Sequence, residues 1–279
     1  MDNLETDSKS DVDEALKRHR QLIANAIKKE QEEKSKELTN LPYWPDTVRG
    51  IANSILRSSL FGVIKKGDRT SYTRELLAAQ SGIEIRYTGI RLDQLDLAIW
   101  ECLIHIARTQ PLGSDVHFHV SSVLETLGKS KGKANYDWFK EGISRLKATA
   151  VEIKYANKTY AGSLIQNFYR NDDTDDYVVI LDPKLSYLYA KNEWTKLRAE
   201  DRLLLSGKPL ALWLHGYYAS HIEPFPLKIE TLYRLSGSNT KHLKTFTQKL
   251  KSALTEVSDV TGWYFEIKNG MVHVNKNPS

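Results

Sequence analysis

An internal repeat limits what this chain can fold into more than any other feature of its sequence. Set "SSVLETLGKSKGKANYDWFKEGISRLKATAVEI" 108 residues ahead of "KIETLYRLSGSNTKHLKTFTQKLKSALTEV", and Leu124 falls on Leu232, Leu127 on Leu235, Trp138 on Phe246 and Leu146 on Leu254. Each copy reads as a short apolar helix, a Gly/Ser/Lys turn and a longer amphipathic helix, so the sequence writes a helix-turn-helix twice.

What flanks the copies is also repeated. An apolar helix precedes each, "LDLAIWECLIHIAR" and "KPLALWLHGYYASH", and β material follows. After the first copy come "AVEIKY", "TYAGSLIQNFYR" and "YVVILD". After the second comes "WYFEIKNGMVHV", in which Asn269-Gly270 between alternating apolar residues predicts a tight hairpin. Helix, helix, longer helix and hairpin is the order of a winged helix. The expected fold is therefore α+β: two tandem winged-helix domains, residues 41–200 and 201–279, behind a charged, partly helical N-terminal arm at residues 1–40. In the arm only Leu16, Ile23 and Ile27 draw a helical stripe. "LPYWPDTVRG", with two prolines and the first tryptophan, marks where packed structure starts.

Charge is unevenly spread. The net charge is +5, yet residues 1–40 hold 8 basic and 10 acidic side chains, so the remainder, with 32 basic and 25 acidic, carries +7. A basic folded part suggests an acidic partner. The single cysteine, Cys102, lies in an apolar helical pattern and excludes both an intramolecular disulfide and a cysteine zinc cluster. No apolar run approaches the ~18 to 20 residues of a membrane span and the N-terminus is too polar for a secretory signal, so a cytoplasmic protein with no membrane partner is expected.

The second amphipathic helix is the main candidate for contact with DNA. Leu243, Phe246, Leu250, Leu254 and Val257 form one apolar stripe, while "SNTKHLKTFTQKLK" holds four lysines and no acid. A solvated charged face normally mixes signs. Ser238, Asn239, Thr240, Lys241, Lys244, Thr245, Gln248 and Lys251 are the expected contacts there: lysines reach phosphates, while Thr245 and Gln248 exchange hydrogen bonds with base edges. Lys268, with Asn269 and His273, would meet flanking phosphates or the minor groove from the wing. In the first copy Lys129, Lys131 and Lys133 interleave with small residues, which predicts either a backbone contact or a dimer contact. Their spacing is not that of a nucleotide-binding loop. "RSSLFGVIKKGDR" adds Arg57, Lys65, Lys66 and Arg69 as solvated cations, with the same DNA backbone as an alternative partner.

A competing reading starts from "VHFHV". In a strand His117 and His119 share a face, as two ligands of a nicking enzyme's metal would, and "YANK" supplies a tyrosine, Tyr155, in a Tyr-x-x-Lys string. With 14 tyrosines and abundant lysine, one such string is expected by chance. In a winged helix "VHFHV" would be the short strand before the second helix, with Val116, Phe118 and Val120 inward and the histidines outward. No Ser-His-Asp, Cys-His or H-E-x-x-H arrangement suggests other chemistry, so no enzyme activity, metal or cofactor is expected.

The segments "WPDTVR", "RSSLFGVIKKG", "IEIRYTGIRLDQLD", "SRLKATAVEI", "LDPKLSYLY" and "GKPLALWLHGYYASHIEPFPLKIETLYRLSGSNTKHLK" together make the chain resemble the TrfA-type replication initiators of broad-host-range plasmids, over about residues 41 to 275. The resemblance implies binding to directly repeated origin sites (iterons), melting of an adjacent AT-rich region, and recruitment of the host initiator and replicative helicase. It also implies a dimer–monomer switch that controls copy number. Double-stranded origin DNA is the implied partner, with single-stranded origin DNA a second candidate. The Gln-Leu-Ser-Leu-Phe clamp-binding motif of some members is not matched by "SKELTNLPYWPD", which argues against a sliding-clamp contact. A winged-helix transcriptional repressor is the alternative within the same fold.

Overall fold

The computed structural model describes residues 17–29, 40–65, 67–155, 157–171 and 173–276. Residues 17–29 form an exposed helix, α1, whose apolar side chains Leu22, Ile23 and Ile27 face solvent. Leu16 and most of the remaining arm lie outside the described residues, as does Lys66.

The chain then enters its first unit through β1 (Val48–Ala52) and the short helix α2 (Asn53–Leu56). Strand β2 (Phe61–Gly62) runs parallel to β5 (Leu92–Asp93), and between them β3 (Ser71–Leu77) and β4 (Ile83–Ile90) pair antiparallel. Helix α3 (Gln94–Ala107) follows. Its start is fixed by a reciprocal cap, since the Asp93 carboxylate accepts from the backbone N–H groups of Leu95 and Asp96 and the Asp96 carboxylate accepts from that of Asp93. Leu97, Ile99, Trp100, Leu103 and Ile104 are all buried, so α3 is the central post of this unit.

Both copies of the repeat become helices. In the first, strand β6 (Asp115–His119) leads into α4 (Val120–Thr126) and α5 (Lys133–Lys147). The next strands, β7 (Ala150–Tyr155) and β8 (Lys158–Gly162), do not return beside β6. They complete a four-stranded antiparallel sheet in the order β3-β4-β7-β8, because Val151, Ile153 and Tyr160 bury with Ile85 and Tyr87. The hairpin that does lie beside β6 comes later, from β9 (Asn167–Asn171) and β10 (Asp176–Ile180), in the order β6-β10-β9. After a 3-10 turn at Pro183–Tyr189, β11 (Trp194–Arg198) pairs with β1.

Helices α6 (Ala199–Leu204) and α7 (Pro209–Ala219) open the second unit. Strand β12 (Leu227–Lys228), α8 (Ile229–Leu235), α9 (Leu243–Thr261), β13 (Tyr264–Lys268) and β14 (Met271–Asn275) complete it, with sheet order β12-β14-β13. That order repeats β6-β10-β9. Asn269 and Gly270, at φ 52° and 73°, make the tight turn that their sequence predicts. Helix α9 ends at Gly262, whose φ of 72° is the left-handed stop that glycine adopts without strain.

Burial divides into two clusters. One runs from Leu41 to Leu197 around Trp44, Trp100 and Phe139, and the other from Leu205 to Val272 around Trp213, Phe246 and Val257. In α5 the fully buried aromatic is Phe139, one residue beyond the Trp138 that the sequence alignment matches to Phe246. Between the clusters lies a buried ion pair, Arg202 to Glu101, with nitrogen–oxygen distances of 2.6 and 3.2 Å. Among the described residues no helix is long and apolar enough to cross a membrane.

Candidate nucleic-acid interface

Helix α9 buries Phe246, Leu250, Ala253, Leu254 and Val257 and packs Val260 against the same core, while Leu243, expected in that apolar stripe, is exposed at the helix start. Lys244, Thr245, Gln248, Lys249 and Lys251 are exposed along one side, and Lys241 is exposed just before the helix. No acid interrupts this face until Glu256. The N-cap residue His242 makes no side-chain cap, so the first-turn N–H groups stay available and the positive end of the helix dipole adds to the two flanking lysines. Such an end attracts phosphate.

The turn ahead of α9 is built from small polar residues. The Ser238 hydroxyl lies 3.1 Å from the Thr240 hydroxyl, and the Tyr233 hydroxyl donates to the Thr240 carbonyl at 2.7 Å. Asn239 is half-buried and turned toward the first unit. Its amide nitrogen donates to Asp68 and its amide oxygen accepts from the Lys65 N–H, both at 3.2 Å. At the β13–β14 turn Lys268 is exposed beside Asn269, and His273 is half-buried on β14. Lys249 was not among the residues singled out from sequence. Its ammonium lies 3.4 Å from the Thr240 hydroxyl, at the mouth of a cleft of about 410 Å³ between α9 and the start of α7.

The equivalent surface of the first unit is electrically different. The Lys129 ammonium sits 4.5 Å from the centre of the Trp138 ring, and Lys131 pairs with Glu125 at 3.3 Å. Lys133 is exposed at the first turn of α5, but Asp137 and Glu141 are exposed on the same helix. The β9–β10 turn carries Asp173, Asp175 and Asp176, where the β13–β14 turn carries Lys268. Asp175 has a local task, accepting from the Ser121 N–H at the start of α4 at 2.9 Å and from the Tyr136 hydroxyl at 3.2 Å.

Two arginines expected as solvated cations prove to be interior ties. Arg57 donates to the hydroxyl and carbonyl of Ser220 in the second unit. Arg69 bonds Asp93 at 2.6 Å and the fully buried Asp96 at 2.7 Å, and Arg145 of α5 reaches the other oxygen of Asp96 at 2.8 Å. The cause is the cap of α3: two carboxylates held at a buried helix start need cations beside them. Lys65 alone of that group is an exposed, described cation.

"VHFHV" forms β6. Val116 is buried and Phe118 packs on Phe139 and Tyr177, while His117 and His119 are exposed on the other face. His119 pairs with Asp176 at 2.9 Å. Among the described residues no three His, Cys, Asp or Glu side chains converge as metal ligands would. Tyr155 lies in the other sheet, at the β7–β8 turn.

The profile of the TrfA protein family matches residues 6–274. The plasmid replication initiator protein TrfA of Escherichia coli is 29% identical over 238 residues, which is 82% of this chain and 62% of the relative, so the chain spans less than two thirds of that protein's length. Among solved structures, domains 2 and 3 of RctB, crystallised as a selenomethionine derivative, superpose with a TM-score of 0.55 at 12% identity, over 80% of this chain and 95% of that one. The Pi initiator protein in complex with iteron DNA superposes with a TM-score of 0.50 at 13% identity, over 63% and 89%. These two likenesses concern the fold. With almost its whole length matched by the family profile, the chain belongs to the TrfA protein family.

Proposed function

We infer that this protein is a non-enzymatic plasmid replication initiator that binds directly repeated origin sites as double-stranded DNA through two tandem winged-helix domains. The observation that carries this reading is the face of α9, with four lysines between residues 238 and 251, no acid, and uncapped N–H groups at its start. The unit at residues 201–279 does most of the recognition, and that at residues 41–200 adds backbone contact through Lys133 and supplies the dimer surface. The two burial clusters, parting between Leu197 and Leu205, support that division. The likeness in fold to an initiator crystallised on iteron DNA supports the choice of ligand. Family membership supports extending this reading to opening of the origin, binding of the single strand released, engagement of the host initiator and helicase, a dimer–monomer switch, and a place in the bacterial cytoplasm beside the plasmid.

Footprinting on the encoding replicon tests this, with strand nicking scored in the presence of Mg²⁺ or Mn²⁺. Periodic protection of direct repeats without nicks is expected. One palindromic footprint at a promoter would favour a repressor, and a covalent adduct lost with His117, His119 or Tyr155 would favour a nicking enzyme.

A further inference from the structure

The turn that presents α9 is held by the first unit at Ser236, Gly237 and Asn239. The Val63 N–H donates to the Ser236 carbonyl at 2.8 Å, extending the chain beyond β2 onto the end of α8. A guanidinium nitrogen of Arg91, just ahead of β5, donates to the Gly237 carbonyl. The Asn239 amide is used at both ends, by the Lys65 N–H and by the Asp68 carboxylate. The passage for Arg91 is shaped from both units. A Cβ on Gly62 would stand 2.9 Å from that guanidinium nitrogen, and a Cβ on Gly237 would stand 2.7 Å from it and 2.7 Å from the Ser59 Cβ. Gly237 also needs its left-handed φ of 57°. Two glycines, one from each unit, therefore make room for a single cation that bridges them.

We propose that the first unit sets the conformation of the second unit's recognition turn through Arg91 and the Asn239–Asp68 bridge, so that Arg91, Asp68 and Asn239 are positioning residues for sequence discrimination by α9. This rests on the DNA-binding reading of α9. It reassigns Asn239 from a DNA contact to a contact between units. Discrimination depends on base-contacting side chains being held to within a fraction of an ångström, whereas attraction to phosphate tolerates looser placement. Loss of the bridge should therefore lower preference for the correct site while leaving general affinity for DNA nearly intact.

The experiment compares two duplexes of equal length, one carrying the direct repeats of the encoding replicon and one of random sequence, with affinity measured at several salt concentrations. Asn239→Asp sets two carboxylates against each other and should cut the ratio of repeat to random affinity roughly 3- to 30-fold, with the salt slope on random duplex unchanged. Asp68→Asn keeps an acceptor for the Asn239 amide and should leave the ratio near wild type. Combining the two restores a donor facing a carboxylate and should recover most of the loss. Arg91→Ala should lower the ratio similarly, with thermal unfolding recorded to show that the variant is folded. If Arg91→Ala does not fold, the Asn239/Asp68 set decides alone. Failure of Asp68→Asn to rescue Asn239→Asp would mean that Asn239 touches DNA itself, and would overturn the proposal. So would an unchanged ratio in Asn239→Asp. A wild-type protein with no preference for the repeat duplex would instead overturn the DNA-binding reading on which the bridge depends.

Discussion

Lys241 and Lys244 stand where two sources of positive potential coincide, the lysine charges and the uncapped start of α9. Replacing both by alanine should weaken binding to specific and random duplex alike and reduce the slope of log affinity against log salt by about 2, as expected when two phosphate contacts are lost. Gln248 is neutral and central on the same face, so Gln248→Ala should cost ~1 to 3 kcal/mol on the correct site and little on random DNA, measured by the same titrations. Two histidines give a pH signature of stability. Burial, with Arg49 and Arg108 nearby, pushes His105 down to about 4, and its Nδ1 accepts from the Trp44 indole N–H at 3.1 Å. Burial, with Arg202, Lys276 and Arg198 beside it, pushes His215 down to about 3. Both stay neutral in the folded protein at acidities that protonate them in the unfolded chain, so their contribution is intact above pH 6.5 and is lost as pH falls toward 4. Urea unfolding should show each histidine removing about 1.4 kcal/mol per pH unit in that window, and His105→Gln should flatten its share. Sequence reasoning found Lys244 and Lys251 of α9 because an amphipathic stripe fixes which side faces water, but passed over Lys249 on the same exposed side. It misjudged Arg57 and Arg69 because their partners, Ser220, Asp93 and Asp96, are brought near only by the fold. The signal for Arg69 was present in "RLDQLD", where a capping pair directly before an apolar helix places carboxylates in need of a cation.

Among the elements, α3 and α5 cross so closely that Gly142 has no room for a side chain, since a Cβ there would stand 2.2 Å from the Ile99 Cδ1. Gly142→Ala should destabilise the protein by about 1 to 3 kcal/mol in denaturant unfolding, with part of the loss recovered when Ile99→Val is added. The helices were legible because apolar spacing and caps are local, and so was the β13–β14 hairpin, because an Asn-Gly turn specifies its own backbone. The strands after α5 were legible as strands but not in their pairing. Whether β7 returns to β6 or joins β4 depends on which buried face receives Val151 and Ile153, and β3 and β4 lie more than sixty residues away in sequence. The one-residue displacement from Trp138 to Phe139 has the same character: either aromatic fits the helical period, and packing against Phe118 and Tyr177 selects one.

At the scale of the whole molecule, the two units are joined by more than a linker. Glu101 and Arg202 form a buried pair between the clusters, Arg202 also donates to the Leu212 carbonyl at 2.7 Å, and the Trp213 indole donates to the Ser58 carbonyl at 3.2 Å. Glu101→Ala leaves a guanidinium buried without its carboxylate and should cost about 3 to 5 kcal/mol, with unfolding separating into two transitions as the units lose their shared seam. The corresponding surfaces of the two units are unequal. One has lysines at its helix and turn, while the other has a mixed helix and an aspartate-rich turn. If the protein reads direct repeats as proposed, a body with a strong end and a weak end would settle on a duplex pointing one way, and sites written head to tail would pass that heading from each bound copy to the next. Lined up along such an array, the molecules would form a row of arrows rather than a set of mirror pairs.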